Sequence, residues 1–570
     1  MKKLINRPDR VVDEMLDGLL ALYPGLSRLS GQNVLLRSDF EERRDEQVAI
    51  ISGGGSGHEP AHAGFIGSGM LSAAVAGEIF TSPSVDSVLA AIRSVAGKHG
   101  VLLIVKNYTG DRINFGLAAE MARSEGILVE TVVVADDVAL AHVEGSAGRR
   151  GIAGTILVHK IAGAAAADGK DLPQVAAGAQ AAAENIGTMG VSLSAGVSPV
   201  TGKASFTLGD EVELGLGIHG EPGVKRVPIA PADELVAQLL NGIMPTLGIR
   251  SGDRVALLLN NLGSTTNMEL AIVGKRALSL LEGRGVQVER ILSGTFVSSL
   301  DMAGVSLSLM RVDDDRLKLL DAPTSAPAWP RIFAVKSESV SARTVPFAYA
   351  EPEPVAHETE TAGGKQMERA VEAACQAAIR SESELTELDQ LVGDGDLGMN
   401  MARAAKAVLH SLSSIPFDDP AEALKALGLE IQKVLGGSTG PLYGAFLLRA
   451  GNALSGNVPA APSWAAALAE GCEAVSELGG ASVGDRTMLD ALVPFAHAFG
   501  REISQGMPIP EALRFAVDAA STGAERTAAM TARRGRSSYL GERALGKVDP
   551  GAAAVVILLQ AMAREITGAA

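Results

Sequence analysis

Val101-Leu102-Leu103-Ile104-Val105-Lys106-Asn107-Tyr108-Thr109-Gly110-Asp111 is the stretch that decides the first half of the chain. Five apolar residues run without a polar break, as a strand buried on both faces requires. Polar residues follow at once, at the carboxyl end of the run, where α/β proteins bind ligands. Comparable runs occur at 48–51, 129–134, 255–259 and 305–310, most bounded by Gly, Asp or Asn and separated by helix-like segments. That alternation predicts an α/β fold with mainly parallel sheets over residues 1–330. A break near residues 228–233 is expected to divide it into two lobes.

Beyond residue 330 the texture changes. Val345-Pro346-Phe347-Ala348-Tyr349-Ala350-Glu351-Pro352-Glu353-Pro354 carries three prolines, and a polar tract leads on to Gly363-Gly364. Residues 331–363 therefore read as an extended interdomain linker. Residues 364–570 read as all-helical. Met367, Val371, Ala374, Cys375 and Ala378 recur at helical spacing, and alanine-rich segments with one apolar side continue to residue 566. Short connections predict antiparallel neighbours.

A chain of 570 residues needs more than one core. Its net charge of −16 argues against a nucleic-acid partner and against an anionic membrane surface. Two cysteines without metal-ligand spacing suit a reducing compartment, and the first residues lack the apolar run of a signal peptide. A cytoplasmic protein is expected.

Chemistry concentrates in a few loops. Leu388-Asp389-Gln390-Leu391-Val392-Gly393-Asp394-Gly395-Asp396-Leu397-Gly398 sets three carboxylates among glycines. Asp389, Asp394 and Asp396 suit hard divalent cations, since Mg²⁺ takes oxygen ligands and shares its shell with substrate phosphates. The alternative is a solvated acidic turn. The loop Leu435-Gly436-Gly437-Ser438-Thr439-Gly440-Pro441 precedes a helix-like segment. Backbone N–H groups there suit phosphate, although a plain glycine-rich helix connection looks the same. Gly484-Asp485-Arg486-Thr487-Met488 and the arginine-rich stretch at 533–543 add charged loops, and arginine suits phosphate, although a solvated face is the plainer reading of any single arginine there. In the α/β half, Gly53-Gly54-Gly55-Ser56-Gly57-His58-Glu59-Pro60 and Gly217-Ile218-His219-Gly220-Glu221 each present a histidine on a glycine-rich loop. Asp111 and His58 are candidate bases, and His219 is a candidate nucleophile.

Together these blocks resemble the dihydroxyacetone kinase family in its ATP-dependent single-chain form, over nearly the whole length. The resemblance implies two α/β lobes followed by an antiparallel eight-helix barrel, with ATP and Mg²⁺ as cofactors and a small ketose as substrate. It implies that His219 captures the ketone as a hemiaminal, and that His58 and Asp111 activate the substrate hydroxyl. Gly55, Ser56 and Lys106 match substrate-pocket positions. Asp389, Asp394 and Asp396 match the metal carboxylates. Gly437, Ser438, Thr439, Gly440, Arg486, Thr487, Met488 and Asp549 match nucleotide-binding positions. A homodimer is implied, with the long linker permitting exchange of domains. Two details depart from the family pattern: the spelling Ser438-Thr439-Gly440-Pro441, and Ser68 where lysine is frequent. Four-carbon ketoses such as erythrulose, phosphocarrier coupling, a flavin-cleaving side activity and a non-catalytic ketose sensor are the alternatives.

Overall fold

The computed structural model describes residues 2–141, 148–221, 223–335, 356–435, 439–456, 460–534, 537–538 and 544–568. The chain divides into two compact units, Met1–Val345 and Pro346–Ala570. Of the stretch read as a linker, 336–355 lies outside the described residues. Gly437 and Ser438 of the expected phosphate loop lie outside them as well.

The first unit holds two sheets. The first contains β1 (Leu26–Arg28), β2 (Val34–Arg37), β3 (Ala49–Ser56), β4 (Ala73–Ile79), β5 (Val101–Lys106) and β6 (Val129–Val134), in the order β1-β2-β4-β3-β5-β6. β4, β3, β5 and β6 are mutually parallel, and β1 and β2 add antiparallel pairs at one edge. Every residue of β5 is buried, which is what its unbroken apolar run requires. Alternate side chains serve opposite faces. Leu102 and Ile104 join the core under the helix Thr155–Ala167, while Val101, Leu103 and Val105 join that under Val85–Val95 and Thr109–Ser124.

The second sheet contains β7 (Ile186–Ser194), β8 (Glu211–Leu214), β9 (Lys225–Pro228), β10 (Arg254–Asn261), β11 (Gln287–Gly294), β12 (Ala303–Arg311) and β13 (Phe333–Ala334), in the order β13-β11-β10-β12-β7-β8-β9. It overturns two expectations. β10 and β11 pair in parallel, whereas the other five pairings are antiparallel, so this sheet is not mainly parallel. An unbroken apolar run reports burial on both faces and says nothing of strand direction. β10 and β12 are central, packed under the helices Ala232–Leu247 and Asn267–Gly283, and so carry that pattern whatever their orientation. Nor does the change of lobe fall near residues 228–233. β7, β8 and β9 already belong to the second sheet, so the change lies between Val134 and Ile186. Pro228 ends the edge strand, where a missing N–H leaves no ladder bond unmade.

The second unit is helical. Eight helices form a closed ring, each packed on the next: Ala362–Arg380, Leu397–Ser411, Pro420–Val434, Thr439–Leu454, Ala461–Gly479, Leu489–Ser504, Ile509–Arg526 and Pro550–Thr567, which returns to the first. A shorter helix, Glu382–Val392, lies in the first connection. The closing pair is antiparallel: Gln366 Nε2 donates to Ile566 O at 3.2 Å and Arg369 Nε to Glu565 Oε1 at 2.8 Å. Neighbours alternate in direction, so the N termini at Leu397, Thr439, Leu489 and Pro550 gather at one end of the barrel. The ring encloses an apolar cavity of about 510 Å³, lined among others by Cys375, Leu427, Phe446, Trp464 and Phe495.

Candidate active site

β3 and β5 are parallel neighbours, so their carboxyl ends deliver the Gly53–Gly55 run and Lys106-Asn107-Tyr108 to one edge of the first sheet. The next helix, Thr109–Ser124, begins there and carries Asp111 in its first turn. Asp111 is buried and accepts a hydrogen bond from Ser82 Oγ at 2.5 Å. Gly54 has to be glycine: a Cβ there would stand 2.3 Å from Lys106 Nζ and 3.6 Å from Asp111 Oδ2. Ser56 Oγ donates to Gly77 O at 2.7 Å, and Gly55 packs on the backbone of Phe80 and Thr81.

Two histidines converge on this edge. The His58 and His219 ring centroids are 4.9 Å apart, and both rings meet Phe80. His219 also lies 4.5 Å from the ring of Tyr108. In each histidine, Nδ1 is committed. His58 Nδ1–H donates to Ser298 O at 2.8 Å, which leaves Nε2 as a buried lone pair without a partner among the described residues. His219 Nδ1–H donates to Glu221 Oε1 at 2.7 Å, which leaves its Nε2 lone pair for chemistry. Glu221 Oε2 also accepts the His219 backbone N–H at 3.0 Å. Gly217 makes room for that carboxylate, since a Cβ there would lie 2.1 Å from Oε2. Burial pushes the Glu221 carboxyl up, but the hydrogen bond and charge of His219 prevail and hold it below the ordinary glutamate value.

Glu221 thus fixes the tautomer of the candidate nucleophile. Glu221→Gln keeps the shape and removes the charge-assisted bond. Such bonds contribute about 1.5–3 kcal/mol, so kcat/KM for the ketone should fall about 10–100-fold with KM for ATP unchanged. Steady-state kinetics on the variant checks this.

The pocket is deeply buried, and its bases respond to that. Burial holds His58 far below the ordinary histidine value, helped by His219 and Lys106. His62 behaves likewise, through burial and then Lys106. Burial, with Lys106, takes His159 down to about 3. Each folded pKa lies below the unfolded value of about 6.5, so the unfolded chain binds more protons as the pH falls. This stability is therefore complete above about pH 6.5 and is lost as the pH drops toward the folded values. Asp137, pushed up to about 6 by burial despite Arg150, works the other way below pH 6. The histidines should dominate between pH 6.5 and 5, each contributing up to about 1.4 kcal/mol per pH unit. Urea midpoints should fall over that interval. They should fall less steeply in His159→Leu, which removes one of these titrating rings and, among the described residues, costs no hydrogen bond of that ring.

The second unit presents a different chemistry. Asp389 lies in the last turn of the short helix, and Asp394 and Asp396 sit in the loop before Leu397. One carboxylate oxygen from each lies within 4.8 Å of the others. Three such oxygens at one point fit one or two Mg²⁺ ions. Asp389 Oδ2 also accepts the backbone N–H of Asp396 at 3.0 Å and of Leu397 at 3.2 Å, so it shapes the loop as well.

This cluster opens one of the four helix N termini gathered at that end. Thr439 and Gly440 begin another. Thr487 and Met488 precede a third, where Thr487 N–H donates to Asp490 Oδ2 at 2.8 Å. Asp549 caps the fourth through Ala552 N–H at 2.9 Å, and burial pushes its carboxyl up to about 6. Four N termini concentrate positive partial charge at that end, which suits a polyphosphate. Arg486 has a task the motif does not disclose. It is buried at φ 63°, and Nε and Nη2 donate to the carbonyls of Thr527, Ala544 and Lys547, tying down the approach to Asp549. Its Nη1 has no partner among the described residues.

Sequence reasoning missed Glu221, Ser82, Phe80, Tyr108 and His62. Glu221 carried a signal, an acid two residues after a glycine-framed histidine. Ser82 and Phe80 reach the pocket only through the packing of β4 beside β3.

A histidine pocket on an α/β unit and, on the same chain, an acidic cluster among the helix N termini at one end of a helical barrel suit a phosphotransferase built in two parts. Known proteins agree. A Dak1 domain matches residues 17–328 and a DAK2 domain residues 391–564. The chain is 46% identical to a putative 3,4-dihydroxy-2-butanone kinase of Solanum lycopersicum, over 99% of this chain and 98% of that protein. It is 46% identical to the triokinase/FMN cyclase of Mus musculus, over 98% of each. The crystal structure of the C. freundii dihydroxyacetone kinase in complex with AMP-PNP and Mg²⁺ superposes with a TM-score of 0.64 at 36% identity, covering 99% of both chains. The chain belongs to the dihydroxyacetone kinase family, in its form with both domains on one chain.

Proposed function

We propose that this protein transfers the γ-phosphoryl group of ATP to a short ketose, dihydroxyacetone first of all. One observation carries the reading: the His58 and His219 rings meet edge to face with Nδ1 committed in both, at the sheet edge where the helix carrying buried Asp111 begins.

His219 Nε2 adds to the ketone carbon and the carbonyl electron pair moves to oxygen, which takes a proton from water, while the ring gives up its Nδ1 proton through Glu221, so that the adduct is neutral. The resulting hemiaminal holds the substrate. It also selects it, since glycerol has no carbonyl to capture. Asp111, with His58, takes the proton of the terminal hydroxyl as that oxygen attacks the γ-phosphorus and ADP leaves. Asp389, Asp394 and Asp396 would hold Mg²⁺, which neutralises phosphate charge as it develops in the transfer. The converging N termini orient the polyphosphate by backbone N–H donation. Positioning and charge neutralisation supply most of the acceleration in such reactions.

A four-carbon hydroxyketone is the second reading, because capture needs only a ketone beside a hydroxyl-bearing carbon. The tomato relative is named for such a substrate. ADP release from Mg-ATP with dihydroxyacetone, D- and L-erythrulose, glyceraldehyde and glycerol decides between them. Turnover with dihydroxyacetone and none with glycerol is the expected result. Faster turnover with an erythrulose keeps the mechanism and changes the substrate. Ketose binding without ADP release would favour a sensor instead. Family membership also supports a homodimer, which light scattering tests. Two buried free cysteines suit a reducing, cytoplasmic setting, which fractionation tests.

A further inference from the structure

Behind the pocket lies a residue that the reaction scheme does not use. His62 is buried, and its Nε2 lies 2.7 Å from Lys106 Nζ. Its other nitrogen lies 3.4 Å from Ser52 Oγ. Ser52 spends its own proton on Ile104 O, at 2.7 Å, so towards His62 it can only accept. His62 therefore carries its proton on Nδ1 and offers Nε2 as a lone pair to the ammonium. Lys106 has three N–H bonds. One meets His62 Nε2, another meets Gly53 O at 3.3 Å, and among the described residues no other hydrogen-bond acceptor takes the third. Nζ and Asp111 Oδ2 flank the same point over Gly54.

We propose that His62 is a positioning residue, whose neutral imidazole holds the Lys106 ammonium over Gly54 so that its third N–H meets an oxygen of the ketose or of the phosphoryl group it receives. This rests on the kinase reading above. The choice of acceptor has a physical reason. A carboxylate at this place would cancel the positive charge. A neutral ring nitrogen fixes the direction of the ammonium and leaves its charge for the substrate. Burial, with Lys106 itself, keeps His62 neutral.

The test compares His62→Gln, His62→Asn, His62→Leu, Lys106→Met and the double variant His62→Leu/Lys106→Met in the full-length protein, with dihydroxyacetone and Mg-ATP. Gln places an acceptor near the position of Nε2, whereas Asn reaches only to that of Nδ1. His62→Leu and His62→Asn should lose about 10–100-fold in kcat/KM for the ketose, with KM for ATP moving less than about twofold. His62→Gln should recover most of that loss. The double variant should be no worse than Lys106→Met alone, because both changes remove one function. A Gln variant as damaged as Asn, or losses that multiply in the double variant, would overturn the positioning role. Gln and Asn are polar and no larger than histidine, so that pair decides even where Leu fails to fold. Absence of ketose-dependent ADP release from the unaltered protein would sink the kinase reading and the positioning role together. Intact turnover with failed rescue sinks the positioning role alone.

Discussion

Asp111→Asn should lower kcat about 10²–10⁴-fold, the range spanned by removing one positioned general base. The substitution keeps the size of the side chain. Asn Oδ1 can still accept from Ser82 Oγ, the contact that holds Asp111 at the start of its helix. What disappears is the negative charge that takes the proton of the substrate hydroxyl. Capture of the ketone belongs to His219, so the KM for dihydroxyacetone should change little. The variant should still form the covalent adduct, which borohydride-free mass spectrometry of the rapidly quenched protein can follow. A loss smaller than tenfold would transfer the base role to His58, whose Nε2 is the other lone pair in the pocket.

The second large effect lies in the other unit. Asp394→Asn/Asp396→Asn should reduce turnover by about 10³-fold, because a bound divalent ion contributes several kcal/mol to the stabilisation of phosphoryl transfer. Asp389 is the poorer choice for this test, since its Oδ2 also holds two backbone N–H groups of the loop. Mg²⁺ titration followed by calorimetry should show the affinity lost, while ketose binding to the α/β unit is retained. Unchanged turnover at millimolar Mg²⁺ would mean that the acidic loop is a solvated turn after all.

Much of this architecture was legible in the sequence. Residues 101–105 announce a buried strand because nothing polar interrupts them, and the polar residues after them mark the edge where ligands bind. Helical spacing from Met367 to Ala378 is equally plain. Strand direction in the second sheet was not legible, because burial on both faces imposes the same apolar run on parallel and antiparallel strands. Closure of the helical ring was also hidden. It depends on the last helix meeting the first, through pairs such as Arg369 with Glu565. At the site, the glycine-framed histidines stand out by type and spacing. Their tautomers are set by Ser298 and Glu221, and Ser298 lies 240 residues from His58. Lys106 could be named from its place at the carboxyl end of β5, but its partner His62 comes from a separate loop, and only packing joins them. Arg486 looked like a phosphate ligand because arginines often are, and the structure buries most of its donors in carbonyls instead.

The hollow of the helical ring bears on how the two units respond to compression. Chains lose volume on unfolding in proportion to the voids they eliminate. The α/β unit is filled by side chains from two sheets and their helices, whereas the barrel surrounds about 510 Å³ of apolar space. Hydrostatic pressure should therefore open the barrel first, even under conditions where heat does not. The chain carries its own reporters, since its two tryptophans are divided between the units: Trp329 packs against the α/β core and Trp464 lines the barrel interior. Under rising pressure the emission of Trp464 should shift to the red while that of Trp329 holds, which variants lacking one or the other tryptophan would separate.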